Sequence, residues 1–334
     1  MRLPFRPAAR RSSGRAHGGF ALRILISGST GMIGSALAGA LQKQGHEVAG
    51  LVRPTTRVRR TSAETSGQQQ AVSWDPEAGT LDQTAEGADA VVHLAGASIA
   101  EGRWTAARKR ALRDSRIAAT NSLINSLKQL SRPPRIFIGG SAIGFYGDRG
   151  DEELTESSPP GSDFLADLTR QWEAASLRAS EFGARTVVLR TGIVLDKNGG
   201  ALPRMLLPFR FGAGGRLGSG RQWMSWLALE ELVAMIQFAL TANSVTGPTN
   251  AVSPHPVRNA EFTKVLARVL RRPAIFPAPA FALRLALGEM ADALLLSSQK
   301  VLPSRFESLG YRFALPDLES ALRAVLAENP ARRA

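Results

Sequence analysis

The chain has 334 residues, a formal net charge of +14 and 44% hydrophobic residues, enough to bury one large core with or without an appendage. It has no cysteine, which excludes disulfides, thiolate catalysis and cysteine metal sites, and its four histidines (His17, His46, His93 and His255) stand at no metal-ligand spacing, so no metal site is expected. No run of eighteen apolar residues occurs, so no membrane-spanning segment is expected.

Most of the charge sits at one end. Residues 1–60 hold eleven Lys and Arg against one acid, Glu47, which leaves +4 for the other 274 residues. A nearly balanced body lacks the basic, aromatic-interleaved face that nucleic acids require, so no nucleic-acid partner is expected. Residues 1–20 contain Arg and Ser, no acid and no central apolar run. They read as a disordered basic extension ahead of a domain that begins near Ala21 and lies in the cytoplasm. The alternative is an Arg-rich organelle transit segment.

Arg23–Ser27 reads as a short buried strand. Gly28, Gly31 and Gly34 follow at three-residue spacing, and Ile33, Leu37, Ala40 and Leu41 then recur with a helical period. Strand, glycine turn and helix form the arrangement that cradles a dinucleotide pyrophosphate. Gly28 permits the tight turn, Gly31 the approach of the phosphates, and Gly34 the packing of helix on strand. Gly45 ends that helix, and Glu47 to Val52 makes a second strand. At its end an NAD site places an acid on the ribose 2′-hydroxyl; here stands Arg53, with Arg57, Arg59 and Arg60 close behind. A cation suits a 2′-phosphate, so NADP(H) is favoured over NAD(H), against the alternative that Arg53 is a solvated loop residue.

Residues 54–70 read as a polar loop, and Ala71 to Trp74 as a short third strand. Asp89 to Leu94 is a fourth, ending in Ala95-Gly96-Ala97, with His93 as a packed residue at its edge. Trp104 to Leu130 reads as one long helix. Arg135 to Gly140 is the fifth strand. Ser162 or Asp163 caps a helix to about Phe182, and Arg185 to Arg190 is the sixth strand. Strands alternating with helices of this length predict an α/β fold, a Rossmann-type doubly wound parallel sheet. Beyond Gly199 the rhythm changes to glycine-rich loops. A helix at Leu229 to Leu240 follows, then one capped by Asn259 that runs through Arg271. Prolines 273, 277 and 279 mark a boundary, and a small helical region ends in a helix opened by Pro316. The expected organisation is therefore 21–272 as the nucleotide-binding domain, with cleft insertions at about 199–226, and 273–330 as a small C-terminal domain.

Several motifs carry a resemblance. They are GSTGMIG at 28–34, HLAGASI at 93–99, RWTAARKRALRDSRI at 103–117, SAIGFYGD at 141–148, LRTGIVLDKNGGAL at 189–202, LPFRFGAGGRLGSGRQWMSW at 207–226, NAVSPHPVRNAEF at 250–262 and SSQKVLP at 297–303. Over about 22–328 the chain resembles the atypical extended short-chain dehydrogenase/reductases, the NAD(P)-binding "epimerase family" with a C-terminal domain of unknown function. The resemblance implies that Gly28, Thr30, Gly31, Met32 and Ile33 line the pyrophosphate, that Arg53 meets the 2′-phosphate, and that Leu94, Ala95 and Gly96 border the adenosine ribose. It implies further that Arg116 reaches the cofactor, that Ile193 sits by the nicotinamide and that Ser141 holds the catalytic serine's place. Arg221, Gln222 and Trp226 fall where related epimerases hold a nucleotide-sugar.

The departure is chemical. The superfamily's Tyr-x-x-x-Lys pair, in which Lys depresses the pKa of the proton-transferring Tyr, is absent. Tyr146 has Gly150 four residues on, Tyr311 has Leu315, and the corresponding helix positions are Phe164 and Leu168. Two readings follow. One is an NADP-dependent oxidoreductase or epimerase-like enzyme on an unknown small carbonyl or sugar-nucleotide-like substrate, with Tyr146 first as proton donor and Ser141 or a carboxylate such as Asp163 or Asp167 as the other candidates. The other is a non-catalytic NADP(H)-binding redox sensor or regulator. Tyr146 has an equal alternative as a packed aromatic.

Overall fold

The computed structural model describes residues 21–54 and 70–327. The basic extension 1–20 and the cations Arg57, Arg59 and Arg60 lie outside the described residues. The framework is one eight-stranded sheet. Its strands are β1 (Arg23–Ser27), β2 (Glu47–Val52), β3 (Gln70–Asp75), β4 (Thr80–Leu81), β5 (Ala90–His93), β6 (Ile136–Ala142), β7 (Arg185–Thr191) and β8 (Gly247–Ala251), ordered β8-β7-β6-β5-β1-β2-β3-β4. All neighbours pair parallel except β3 with β4. The strands read as continuous apolar runs because helices cover both faces. Ile24, Ile26, Val92, Ile138 and Val187 point to one face and pack with Leu37 and Leu41 of α1 (Met32–Lys43) and Leu232 and Ile236 of α6 (Leu229–Thr241). Leu25, Val91 and Phe137 point to the other and meet Leu123, Ile124 and Leu127 of α3 (Ala119–Lys128). The chain reverses direction across the sheet between β1 and β5, where open α/β sheets hold ligands at their carboxyl edge.

Four sequence expectations are corrected. The helix read from Trp104 to Leu130 is α2 (Ala106–Arg113) and α3 joined by a π-turn, Asp114–Ala118. The edge strand β8 was missed, because Gly-Pro-Thr-Asn-Ala has little strand propensity. Arg258, not Asn259, is the N-cap of α7 (Asn259–Leu270), since the Asn259 carboxamide instead accepts from the Leu217 N–H at 2.8 Å. Pro316 precedes the cap Asp317 of the last helix, Leu318–Leu326, rather than sitting in its first turn. Asp163 does cap α4 (Phe164–Leu177), accepting from the Ala166 N–H.

The C-terminal region is tied to this frame at several points. Lys300–Val301 pairs parallel with Glu153–Leu154. The buried Glu231 of α6 accepts from the Tyr311 hydroxyl and from the Ala314 and Leu315 N–H groups. Leu318 and Leu322 pack on Phe262, Leu266 and Trp226.

Candidate functional site

The glycine turn leaves β1 at the reversal point. Gly28 has φ +71°, and a Cβ there would stand 3.1 Å from the backbone of Leu94 and Ala95. A Cβ on Gly34 would fall 2.2 Å from the Gly28 carbonyl oxygen, so α1 packs directly on the turn. Gly31 is the N-cap of α1 and supplies no side-chain cap, and the first turn holds no acid, which leaves its N–H groups to an external anion. The Met32 side chain lies beneath the Gly199–Gly200 turn, where a Cβ on Gly199 would meet Met32 Sδ at 2.8 Å. That cover over the start of α1 was invisible in the sequence.

A cleft of about 340 Å³ opens beside the turn, lined by Gly28, Thr30, Arg53, Trp74, Ala95 and Gly96 among others. Arg53 is exposed at its rim, one residue past β2. The structure therefore brings together the glycine turn, Arg53 and the 94–96 loop. Trp74 and Ser115 also line it and were not anticipated.

Behind the cleft runs a hydrogen-bond chain whose direction can be assigned from donor counts. The Leu94 and Ala95 N–H groups both donate to Ser27 Oγ, so the Ser27 proton goes to His93 Nδ1, 2.6 Å away. His93 Nε2 then carries the ring proton and donates to Thr120 Oγ1 at 3.0 Å. Trp172 Nε1 donates to the same oxygen, which donates onward to the Arg116 carbonyl. Every member is satisfied, and the chain links the end of β1, the 94–96 loop and the π-turn. His93 is fully buried, and burial pulls its imidazole down to about 4. An unfolded His titrates near ~6.5, so between these values only the unfolded state takes up a proton. Stability is full above about pH 6.5 and falls as pH drops towards 4, by on the order of 3 kcal/mol. Urea midpoints between neutral pH and pH 4.5 are expected to fall more steeply for the native chain than for His93→Gln; parallel slopes would refute it.

The π-turn carries Arg116, whose guanidinium lies 5.2 Å from the Trp172 ring and 3.3 Å from where a Cβ on Gly96 would stand. It is largely buried, forms no ion pair among the described residues, and makes one long bond, to the Leu112 carbonyl at 3.5 Å. Burial, then the neighbouring charge of Arg108, lowers it to about 10. A sequestered cation without a carboxylate beside the 94–96 loop fits a dinucleotide's anionic or ribose oxygens.

The proton-donor expectation for Tyr146 is corrected. Its side chain is fully buried, and the phenol faces the acceptors Asn250 Oδ1 at 2.6 Å and the Thr155 carbonyl at 2.9 Å while accepting from Arg190 Nη1 at 2.9 Å. Burial pushes it up to about 12 against the opposing pull of Arg190. Its phenol is spent on these buried partners. Ser141 stands near the carboxyl end of β6, but its hydroxyl donates to Glu173 Oε1 at 2.7 Å, and Glu173 is clamped by Arg190 through two bonds of 2.8 and 2.9 Å. Leu168 stands in an apolar cluster with Trp104, Leu112, Leu165 and Met290, and the half-buried Phe164 packs against it. Lys109 and Arg113 sit 4.8 and 5.1 Å over the Phe164 ring, paired to Glu289 and Asp167.

Two of the three substrate-loop residues are also corrected. Trp226 is fully buried and donates to the His255 carbonyl; Gln222 is buried and ties the Leu217 and Leu295 carbonyls together. Both are structural because each spends its polar atoms inside the protein. Arg221 is exposed. Ile193 is half-buried two residues past β7, pairing with Trp226. Among the described residues no cluster of metal-ligating side chains occurs, and no helix is long and apolar enough to cross a membrane.

A profile of the NAD dependent epimerase/dehydratase family matches residues 24–271, and a domain of unknown function matches 278–325. The chain belongs to the NAD dependent epimerase/dehydratase family. An epimerase family protein of Mycobacterium tuberculosis, MT2273, is 43% identical over 291 residues, 87% of this chain and 93% of that protein. The crystal structure of the human epimerase family protein SDR39U1 (isoform 2) with NADPH has a TM-score of 0.80 at 33% identity, covering 91% of this chain and 99% of that one. A Bacillus cereus UDP-glucuronic acid 4-epimerase solved with NAD scores 0.70 at 18% identity over 91% and 97%, which is a likeness of fold. Membership accounts for the Rossmann frame, the nucleotide-binding fold of this family.

Proposed function

We propose that this protein binds NADP(H) and holds it without the family's Tyr–Lys proton chemistry, acting as a redox-state reader. The observation that carries the second half is the pair Phe164 and Leu168, neither of which transfers a proton, in one apolar cluster with Met290. The first half rests on Arg53 at the cleft rim, the open first turn of α1 and the uncompensated Arg116. The human relative solved with NADPH supports the same cofactor. When bound, the nicotinamide supplies hydride chemistry. The chain's own residues orient the dinucleotide: Gly28 to Gly34 cradle the pyrophosphate, Arg53 meets the 2′-phosphate, and Arg116 is held by the Thr120–His93 chain.

A second reading is favoured by one specific contact, the Ser141 hydroxyl on Glu173. In an NADP-dependent oxidoreductase acting on a small carbonyl or sugar-nucleotide-like substrate, Ser141 is the one candidate donor left near a strand end. Turnover separates the two readings. NADPH binding with no oxidation across carbonyl and sugar-nucleotide panels supports the reader; oxidation lost in Ser141→Ala establishes the enzyme.

For the cofactor, Arg53→Asp is expected to weaken NADPH roughly 10- to 100-fold, as lost charge-assisted bonds and added repulsion imply, while NADH changes little. Fluorescence titration of both nucleotides checks this, and equal weakening refutes the 2′-phosphate contact. The proposal places the protein in the cytoplasm, with organelle entry through residues 1–20 as the alternative; fractionation of the tagged full chain distinguishes them.

A further inference from the structure

An apolar surface on α5 (Leu202–Arg210) and α8 (Ala280–Leu287) is left over, tied to the 97–104 loop by Arg204 on the Ala100 carbonyl and by Arg103 on the Leu285 and Ala286 carbonyls. Leu207 and Phe211, at the end of α5 and just past it, are exposed, as are Ile275 and Phe276 and then Phe281 and Leu285 on α8. Phe211, Phe281 and Leu285 are 79%, 72% and 77% exposed. The backbone joins the 214–217 loop that follows α5 to the 276–278 segment that precedes α8. The Phe276 N–H donates to the Gly214 carbonyl, the Ala278 N–H to the Arg216 carbonyl, and Leu217 bridges parallel to Ala278. α8 is apolar around nearly its whole circumference, with Arg284 its one charge, and none of its residues is buried.

The charge around this face is mostly positive: Arg284 pairs with Asp292 and Arg268 with Glu319, and Glu289 follows α8. Residues 197–229 and 262–288 together contain ten Lys and Arg and no Asp or Glu. Arg210, Arg271 and Arg272 are exposed and enter no ion pair among the described residues. A symmetric contact between two copies would set these cations against each other, which disfavours self-association. An apolar helix with no buried residue and an exposed, proline-bounded Ile275-Phe276 pair suit insertion at a headgroup boundary.

We propose that α8, the 273–279 loop and the end of α5 form a docking surface for an anionic membrane, with the aromatic and aliphatic side chains entering the interface and the arginines meeting lipid phosphates and carboxylates. The protein lies on such a membrane and does not cross it. This inference is independent of the cofactor reading.

Co-sedimentation of the full chain with vesicles of phosphatidylcholine alone, and of phosphatidylcholine with phosphatidylserine, tests it. Retention is expected on the anionic vesicles and not on the neutral ones. Arg210→Ala/Arg272→Ala is expected to lower the partition coefficient roughly thirtyfold, at about 1 kcal/mol per cation. Phe281→Ser/Leu285→Ser is expected to lower it at least roughly tenfold. All four side chains are exposed, so urea midpoints should stay at the native value, and residues 1–20 are common to every variant, so the difference reads the face alone. Absence of anionic-vesicle retention overturns the proposal, as does retention unchanged in either double variant. A dimer abolished by Phe281→Ser/Leu285→Ser assigns the face to a second copy, and full displacement from vesicles by polyglutamate assigns it to acidic chains; both overturn it.

Discussion

Glu173→Gln is expected to cost about 3–5 kcal/mol of folding stability, because it removes one partner of a buried ion pair while leaving the other charge in place. The Glu173 and Arg190 side chains are 6% and 4% exposed. Arg190 donates Nε and Nη2 to the two carboxylate oxygens, so the planar fork is fully matched. An amide in the same place keeps one acceptor but aims an NH2 donor at guanidinium donors. Ser141 competes for the remaining oxygen, and Tyr146 loses the orientation of the Arg190 arm that donates to its phenol. Phe145, whose ring lies 3.5 Å from the guanidinium carbon, keeps its packing, so the loss is electrostatic rather than a cavity. Urea unfolding at neutral pH measures it. Glu173→Met/Arg190→Met is expected to lose less than Glu173→Gln alone, since no stranded charge remains. A single-variant loss below about 1 kcal/mol would show that water reaches the pair.

Local patterns were legible and long-range pairings were not. Arg23–Ser27, the three glycines and the first helix share one short unit, Arg23 to Lys43, whose periodicity changes visibly, so the glycine turn could be read directly. Arg53 was found because its offset from the glycines is set by one helix and one strand. Tyr146 was misplaced for a physical reason: its partners Arg190 and Asn250 lie 44 and 104 residues away. A phenol at a strand end looks the same in sequence whether it faces a cleft or a buried arginine. Glu173 was missed because a glutamate nine residues into an amphipathic helix ordinarily faces water; only the register of Ser141 against Arg190 across β6 and β7 brings it a partner. The π-turn was hidden because its extra residue leaves the apolar stripe of α2 and α3 nearly continuous. It matters to the site because it turns Ser115 towards the Ala97 N–H and Arg116 towards Gly96.

Gly34→Ala is the smallest change with the largest expected effect on the cofactor. The added methyl would sit 2.2 Å from the Gly28 carbonyl oxygen and 2.8 Å from the Gly28 carbonyl carbon and Ser29 Cα. All three are backbone atoms, so no side chain can rotate away. Relief requires α1 to move off the turn by about an ångström, or the Gly28 peptide to shift. Either motion disturbs the 94–96 loop, whose backbone lies so close to Gly28 that a Cβ there would stand 3.1 Å from it. The first-turn N–H groups of α1 then no longer converge on the position the turn frames, and their dipole no longer supports a pyrophosphate. Overpacking of this kind costs about 1–3 kcal/mol of stability, and the misplaced anion site is expected to lose on the order of 100-fold in NADPH affinity. Gly31→Ala is the control. Its Cβ would stand 3.3 Å from the Gly28 oxygen, a contact that a few tenths of an ångström relieves, so its fold is expected to survive with a smaller loss of binding. Calorimetric titration of NADPH into both variants, with urea midpoints alongside, separates loss of the cradle from loss of the fold. Equal affinity in Gly34→Ala and the native chain would show that the dinucleotide does not use this turn.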